Sequence, residues 1–168
     1  MINQFLDTVG DGTGTTNAIG NYSDAGAGAE EFFYTDPSTA GSTNAPSYIH
    51  RMIVSIGDTS GMQAQEYGNT GGALTNGISI AIKRGAETLI DLTPEVIKTN
   101  SQWAEYCYDA NLLTWGAGNE LMVVRWSFDK SGDPIRLDAG DKLVVTINDD
   151  CSGLLSHRFL IQGQQEVR

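Results

Sequence analysis

The sequence predicts an all-β fold, a jelly-roll-like antiparallel β-sandwich with an extended N-terminal arm and one or two short helices. Short runs with apolar residues at every second position carry this reading, most plainly at Ile78–Ile82, Met122–Phe128 and Leu143–Ile147. Clusters of Gly, Asp, Asn and Pro separate the runs, as turns and loops between strands do. No heptad pattern or internal repeat competes with that periodicity. The loops are too long for a meander of two-residue hairpins and suit the crossovers of a sandwich. With 168 residues, the chain is long enough to close one core without staples.

The elements follow in order. Residues 1–30 read as an extended Gly-rich arm and residues 31–168 as a single β-sandwich domain. Between Asp7 and Ala29 the only large apolar residues are Val9, Ile19 and Tyr22, and Gly10, Gly12, Gly14, Gly20, Gly26 and Gly28 interrupt the stretch. Such a segment cannot offset its ordering entropy alone, so it is expected to order against something else, a neighbouring subunit included. Met1-Ile2 and Phe5-Leu6 are a small apolar anchor at its tip.

Phe32-Phe33-Tyr34 is a short strand ended by Asp36-Pro37. Tyr48–Ile56 follows Pro46, with Met52, Val54 and Ile56 on one face and Ile49, Arg51, Ile53 and Ser55 on the other. Apolar groups on both faces predict a central strand. Ser60-x-x-Gln63 has the spacing of a capping box for a helix of one or two turns. Ile78, Ile80 and Ile82 predict a strand with one buried face, and Arg84-Gly85-Ala86 turns it into the returning run Leu89–Leu92. Thr93-Pro94 suits a helical turn or a plain strand break. Trp103–Tyr108 fits a short helix or a strand equally.

In Glu120–Phe128 the face carrying Met122, Val124, Trp126 and Phe128 is the more apolar. Ile135–Leu137 is a short strand, Asp138-Ala139-Gly140-Asp141 a turn, and Leu143, Val145 and Ile147 the inward side of the next strand. Ser156–Gln162 closes the sequence pattern, with Phe159 and Ile161 sharing a face.

Charge narrows the function. The formal net charge is −11, and charged residues are 18% of the chain, below the roughly 25% of an average globular protein. An acid excess of this size argues against a surface built to neutralise nucleic-acid phosphates. Residues 1–50 hold six acidic and no basic residues, so the first third suits a basic partner patch or a solvated face. No apolar run approaches a membrane span. Met1-Ile2-Asn3-Gln4-Phe5 lacks the basic and apolar regions of a secretory signal, so synthesis and assembly in a reducing cytoplasm are expected.

No motif announces a reaction. Cys107 and Cys151 allow one disulfide, but two buried thiols explain them as well. His50 and His157 lie far apart and show no zinc spacing with either cysteine. Both fall in or beside strands, where a structural role is expected. There is no G-x-S-x-G elbow, and Gly10-Asp11-Gly12-Thr13-Gly14 has neither the strand, the helix nor the Lys of a phosphate loop. Asp138 and Asp141 around Gly140, and Asp149 with Asp150, are hard oxygen donors on loops, as calcium needs, but Asp in Gly-containing turns usually caps the turn. Trp103, Trp115, Trp126, Tyr106 and Tyr108 are the aromatics a glycan platform would draw on, with Trp126 expected in the core. No catalytic, cofactor-binding or metal-ligating residue is assigned, no cofactor is expected, and the chain is not expected to be an enzyme.

Four phrases carry a family resemblance: Ser55–Met62, Lys98–Trp103, Pro134–Asp150 and His157–Gly163. They resemble small virion proteins of tailed bacteriophages, similar to head decoration or cement proteins with jelly-roll-like folds. The resemblance covers roughly residues 45–165 and rests on turn and strand phrases. It implies a multi-copy structural protein on the outer face of the capsid, bound to the major capsid protein and to itself, often as a homotrimer. It implies neither a nucleic-acid nor a membrane partner, and no site residue transfers. A vertex, tail or fibre protein and a carbohydrate-binding β-sandwich are the alternatives.

Overall fold

The computed structural model describes residues 2–9, 16–18, 30–35, 46–58, 63, 65–67, 72–93, 95–106, 109–114, 120–128, 133–149, 151, 154 and 156–165. The chain folds as an all-β sandwich of two packed, mainly antiparallel sheets. In one sheet β1 (Ile2–Val9), β11 (Ser156–Gln165), β4 (Ser47–Asp58) and β8 (Glu120–Ser127) lie side by side. In the other the order is β3 (Glu30–Thr35), β10 (Asp141–Ile147), β5 (Ile78–Arg84) and β6 (Glu87–Asp91). Taken in chain order, these eight strands are wound first-eighth-third-sixth against second-seventh-fourth-fifth, the winding of a jelly roll. Three further strands extend the sheets: β2 (Thr16–Ala18) runs parallel to β3, β7 (Asp109–Thr114) lies beyond β8, and β9 (Ile135–Leu137) pairs with the start of β4.

Of the segment read from sequence as an arm, Ile2–Val9 and Thr16–Ala18 are described, both as strands, with Glu30 at the start of β3. Ile2–Val9 pairs antiparallel with β11 from Ile2 opposite Gln165 to Val9 opposite Arg158. It supplies the outer strand of its sheet, within the same chain.

Alternation builds the core. Met52, Val54 and Ile56 of β4, Met122 and Val124 of β8, and Phe159 and Ile161 of β11 face Ile78, Ile80 and Ile82 of β5 and Leu143, Val145 and Ile147 of β10, all buried. β4 is central, flanked by β11 and β8, which explains why its second face also carries apolar residues. The β5–β10 pair is buried on both faces: Ala81 and Val144 sit opposite each other on the face away from the core and are also buried. The single buried face expected of Ile78–Ile82 is therefore too narrow a description.

One parity expectation fails, and the register shows why. Arg51 pairs with Gln162 but Ile49 pairs with Gly163, so His50 is an extra residue in β4. A bulge of this kind reverses which side chains face inward beyond it. Ile49 thus joins the core at 1% exposure, although simple alternation places it with Arg51. Gly163 is needed across from the bulge: a Cβ there would lie 2.5 Å from the carbonyl oxygen of Tyr48.

Turn chemistry fixes the connections. Gly85-Ala86 joins β5 to β6, with Gly85 at φ +59° and no positive φ at Ala86, the II′ pattern matched to strand twist. Asp138–Asp141 turns with Gly140 at φ +82°, and the Asp141 N–H donates to the Asp138 carbonyl at 2.9 Å. In the segment ambiguous between helix and strand, Trp103–Tyr106 is helical, the end of α1 (Asn100–Tyr106), and the last two residues lie outside the described ones. The cap of α1 is a reciprocal box: the Gln102 N–H donates to Thr99 Oγ1 at 3.2 Å, and the Thr99 N–H donates to Gln102 Oε1 at 3.1 Å. The box expected at Ser60-x-x-Gln63 begins outside the described residues. Gln63 itself heads a turn, where its carbonyl accepts from the Glu66 N–H at 3.1 Å. Thr93 lies in a strand break, not a helical turn.

Candidate functional site

The densest polar geometry in the described residues lies where the segment before β5 meets the end of β10. Successive N–H groups of Thr75, Asn76 and Gly77 converge on the carboxylate of Asp149. Thr75 donates to Oδ1 at 2.9 Å, and Asn76 donates to Oδ1 at 3.0 Å and to Oδ2 at 2.9 Å. The Gly77 N–H also donates to Oδ2. Successive amides curved in this way form a concavity for an anion, filled here by the chain's own side chain. Gly77 makes the curve with φ +79°, and a Cβ on it would meet Val96 Cγ1 at 2.5 Å and the Ile97 carbonyl oxygen at 2.7 Å. Asn148 completes the clamp. Its backbone N–H and Nδ2 donate to the Gly77 carbonyl at 3.0 and 3.1 Å, while Asn76 Nδ2 donates to the Asn148 carbonyl at 3.2 Å.

A second brace lies at the opposite end of β5 and β10. Arg84 Nε donates to Asp141 Oδ1 at 2.6 Å and Arg84 Nη2 to Oδ2 at 3.1 Å, a forked pair. The Asp138 N–H adds a bond to Asp141 Oδ2 at 3.0 Å, and Arg136 Nε donates to Asp138 Oδ1 at 2.9 Å. The hydrogen bond and charge of Asp141 raise the Arg84 guanidinium above its ordinary value. A raised folded value makes the contribution complete below the unfolded value, and it is lost only as pH climbs through the folded one. The brace is therefore constant across the neutral range.

A third contact is internal. Thr93 Oγ1 accepts from the buried Ile80 N–H at 2.6 Å and donates to the Ile80 carbonyl at 3.2 Å. It replaces the strand pairing that the break after β6 interrupts.

The carboxylates considered for calcium are thus aimed at N–H donors: Asp149 at three backbone amides, Asp141 at Arg84 and the Asp138 N–H, Asp138 at Arg136. Asp150 lies outside the described residues. Among the described residues no three His, Cys, Asp or Glu side chains gather as a metal site, and no helix is long and apolar enough to cross a membrane. His50 is half-buried at the β4 bulge, and His157 pairs through its backbone with Ile56. Cys151 is buried, and Cys107 lies outside the described residues.

Of the aromatics proposed as a glycan platform, Trp103 is fully buried. It packs edge-on against Trp126 at 6.2 Å, and Trp126 stacks on Phe128 at 6.1 Å. Trp126 is half-buried beside the core, as its parity suggested. Trp115, Tyr108 and the side chain of Tyr106 lie outside the described residues.

Sequence reasoning found Asp138, Asp141 and Asp149 but not their partners. Arg84 and Asp141 are 57 positions apart, and Asp149 is 74 from Thr75. The Thr99-x-x-Gln102 box and the Arg136–Asp138 pair are local in sequence and carried a signal that pattern reading missed. Comparison with protein-family models, curated proteins and solved structures gives no match.

Proposed function

We propose that this chain is a virion structural protein of the head-decoration kind: a multi-copy cement on the outer face of a phage capsid, assembled in the host cytoplasm. In this reading it binds the major capsid protein and sister copies, with a homotrimer as the unit. It has no nucleic-acid or membrane partner and catalyses no reaction. The observation that supports it most is the use made of the polar side chains. Asp149, Asp141, Arg84, Asn148 and Thr93 stiffen loops and strand ends. Two of the phrases that carry the resemblance hold part of these braces: Pro134–Asp150 supplies Asp141, Asn148 and Asp149, and Lys98–Trp103 holds the helix cap, while Arg84 and Thr93 lie outside the phrases. A stiff block suits a part whose strength comes from repetition, since many small contacts on a closed shell act together. The charge of −11 also keeps such a block off the packaged genome.

The test is quantitative mass spectrometry of purified particles, with immunogold labelling. Decoration requires on the order of hundreds of copies per particle, accessible to antibody on the head. About a dozen copies or fewer would move the protein to a vertex or tail, and absence from particles would end the virion reading.

A further inference from the structure

The three large hydrophobic side chains exposed among the described residues are Leu89, Ile90 and Val96. All three lie along one sheet edge. β6 ends the five-stranded sheet, and each of its residues, Glu87 to Asp91, is exposed. The same edge continues past the strand break, where the Leu92 N–H bonds the Ile80 carbonyl and Ile97 pairs with Ile78. Val96 then opens onto a groove of about 480 Å3, whose lining includes Asn76, Glu95 and Gln102.

An exposed edge is a template for another strand, and proteins usually blunt it with charge and bulges. β6 shows both. Ile82 pairs with Ile90 and Lys83 with Thr88, so Leu89 is an extra residue, and Glu87 and Asp91 flank the apolar pair. These features select between occupants. β6 carries two carboxylates and no cation, so no register of β6 against β6 of a second copy gives either carboxylate an opposite charge. Like charges facing across strands are destabilising, and opposite charges stabilise. Leu89 and Ile90 still leave an apolar strip for a partner side chain.

We infer that the β6 edge docks an extended segment of another protein, in which adjacent β-branched or aromatic residues are flanked by Lys or Arg. The segment adds as a sixth strand beyond β6, its backbone in the ladder, its apolar residues on Leu89 and Ile90 and its cations beside Glu87 and Asp91. This stands apart from the virion reading, and either can fail without the other.

Fluorescence anisotropy with the intact protein tests it. The probe is a capped, labelled peptide, Lys-Thr-Val-Ile-Val-Thr-Lys, and the control replaces both Lys by Glu. The Lys peptide is expected to bind saturably and to slow amide exchange within residues 87–91. Binding should weaken by about tenfold or more with the Glu peptide, with added salt, and in the separate variants Ile90→Ser and Glu87→Lys. These positions are exposed, so circular dichroism should show an unchanged fold. No saturable binding, equal binding of the two peptides, or protection confined to another strand would overturn the inference. So would a dimer in sedimentation that Ile90→Ser dissociates, since the occupant would then be a second copy.

Discussion

Replacing Asp149 with alanine tests the clamp between the start of β5 and the end of β10. Three N–H groups lose their acceptor. Thr75 and Asn76 are exposed, so water can take over those two bonds at little net loss. Gly77 is buried, and its orphaned N–H carries the larger penalty, about 1–3 kcal/mol. The lost bonds to a charged acceptor bring the sum to roughly 3 kcal/mol. Asp149→Asn keeps one acceptor oxygen but turns an NH2 group toward the amides, so about half that loss is expected. For a domain of this size, 3 kcal/mol lowers the midpoint by about 6–12 °C. Urea unfolding followed by Trp fluorescence reads the change as a shift in midpoint at constant slope. If Asp149→Ala loses less than about 0.5 kcal/mol, the level of an ordinary surface change, the clamp contributes nothing and the reasoning from it fails.

Two more substitutions probe how the sheets are held. Gly163→Ala forces a Cβ into the Tyr48 carbonyl at 2.5 Å, an overpacking against backbone that should cost about 1–3 kcal/mol in the same unfolding assay. A neutral result would mean that the β4 bulge relaxes freely. Thr93→Val keeps the shape but leaves the buried Ile80 N–H without its acceptor, while the Ile80 carbonyl retains the Leu92 N–H. A loss of about 1–3 kcal/mol is expected, with faster amide exchange at Ile80, and unchanged exchange there would show that the bond is dispensable.

Local pattern explains how much of this fold was legible. Period-two runs located β5, β8, β10 and β11, and turn chemistry located the Gly85 and Gly140 reversals, because each depends on residues within a few positions of one another. His50 shows the limit. An inserted residue reverses inward and outward, yet the sequence Ile49-His50-Arg51 contains no mark of it; the signal is the tight approach at Gly163, on a strand more than a hundred positions away. The polar braces failed to announce themselves for the same reason. Asp149 reads as a loop carboxylate until its distant amides are known, and a free carboxylate in a loop suggests a cation as readily as a clamp. Three of the carboxylates weighed for calcium, Asp138, Asp141 and Asp149, face N–H donors instead.

The clamp and the exposed edge are connected, which bears on how β6 could recruit a partner. Gly77, held by Asp149 and Asn148, packs directly against Val96 and Ile97. Thr93 fixes the break after β6 to Ile80, and the Thr99–Gln102 cap fixes the segment that follows. The edge from Glu87 to Ile97 is therefore anchored beyond its C-terminal end, and at its start the Gly85 turn leads back to Arg84, pinned by Asp141. Edge strands that fray must be ordered before a partner can add to them, and that ordering subtracts from affinity. An edge braced at both ends has less backbone left to order when a partner strand adds. The polar residues that look idle for catalysis are then the reason a short five-residue strand can serve as a docking rail.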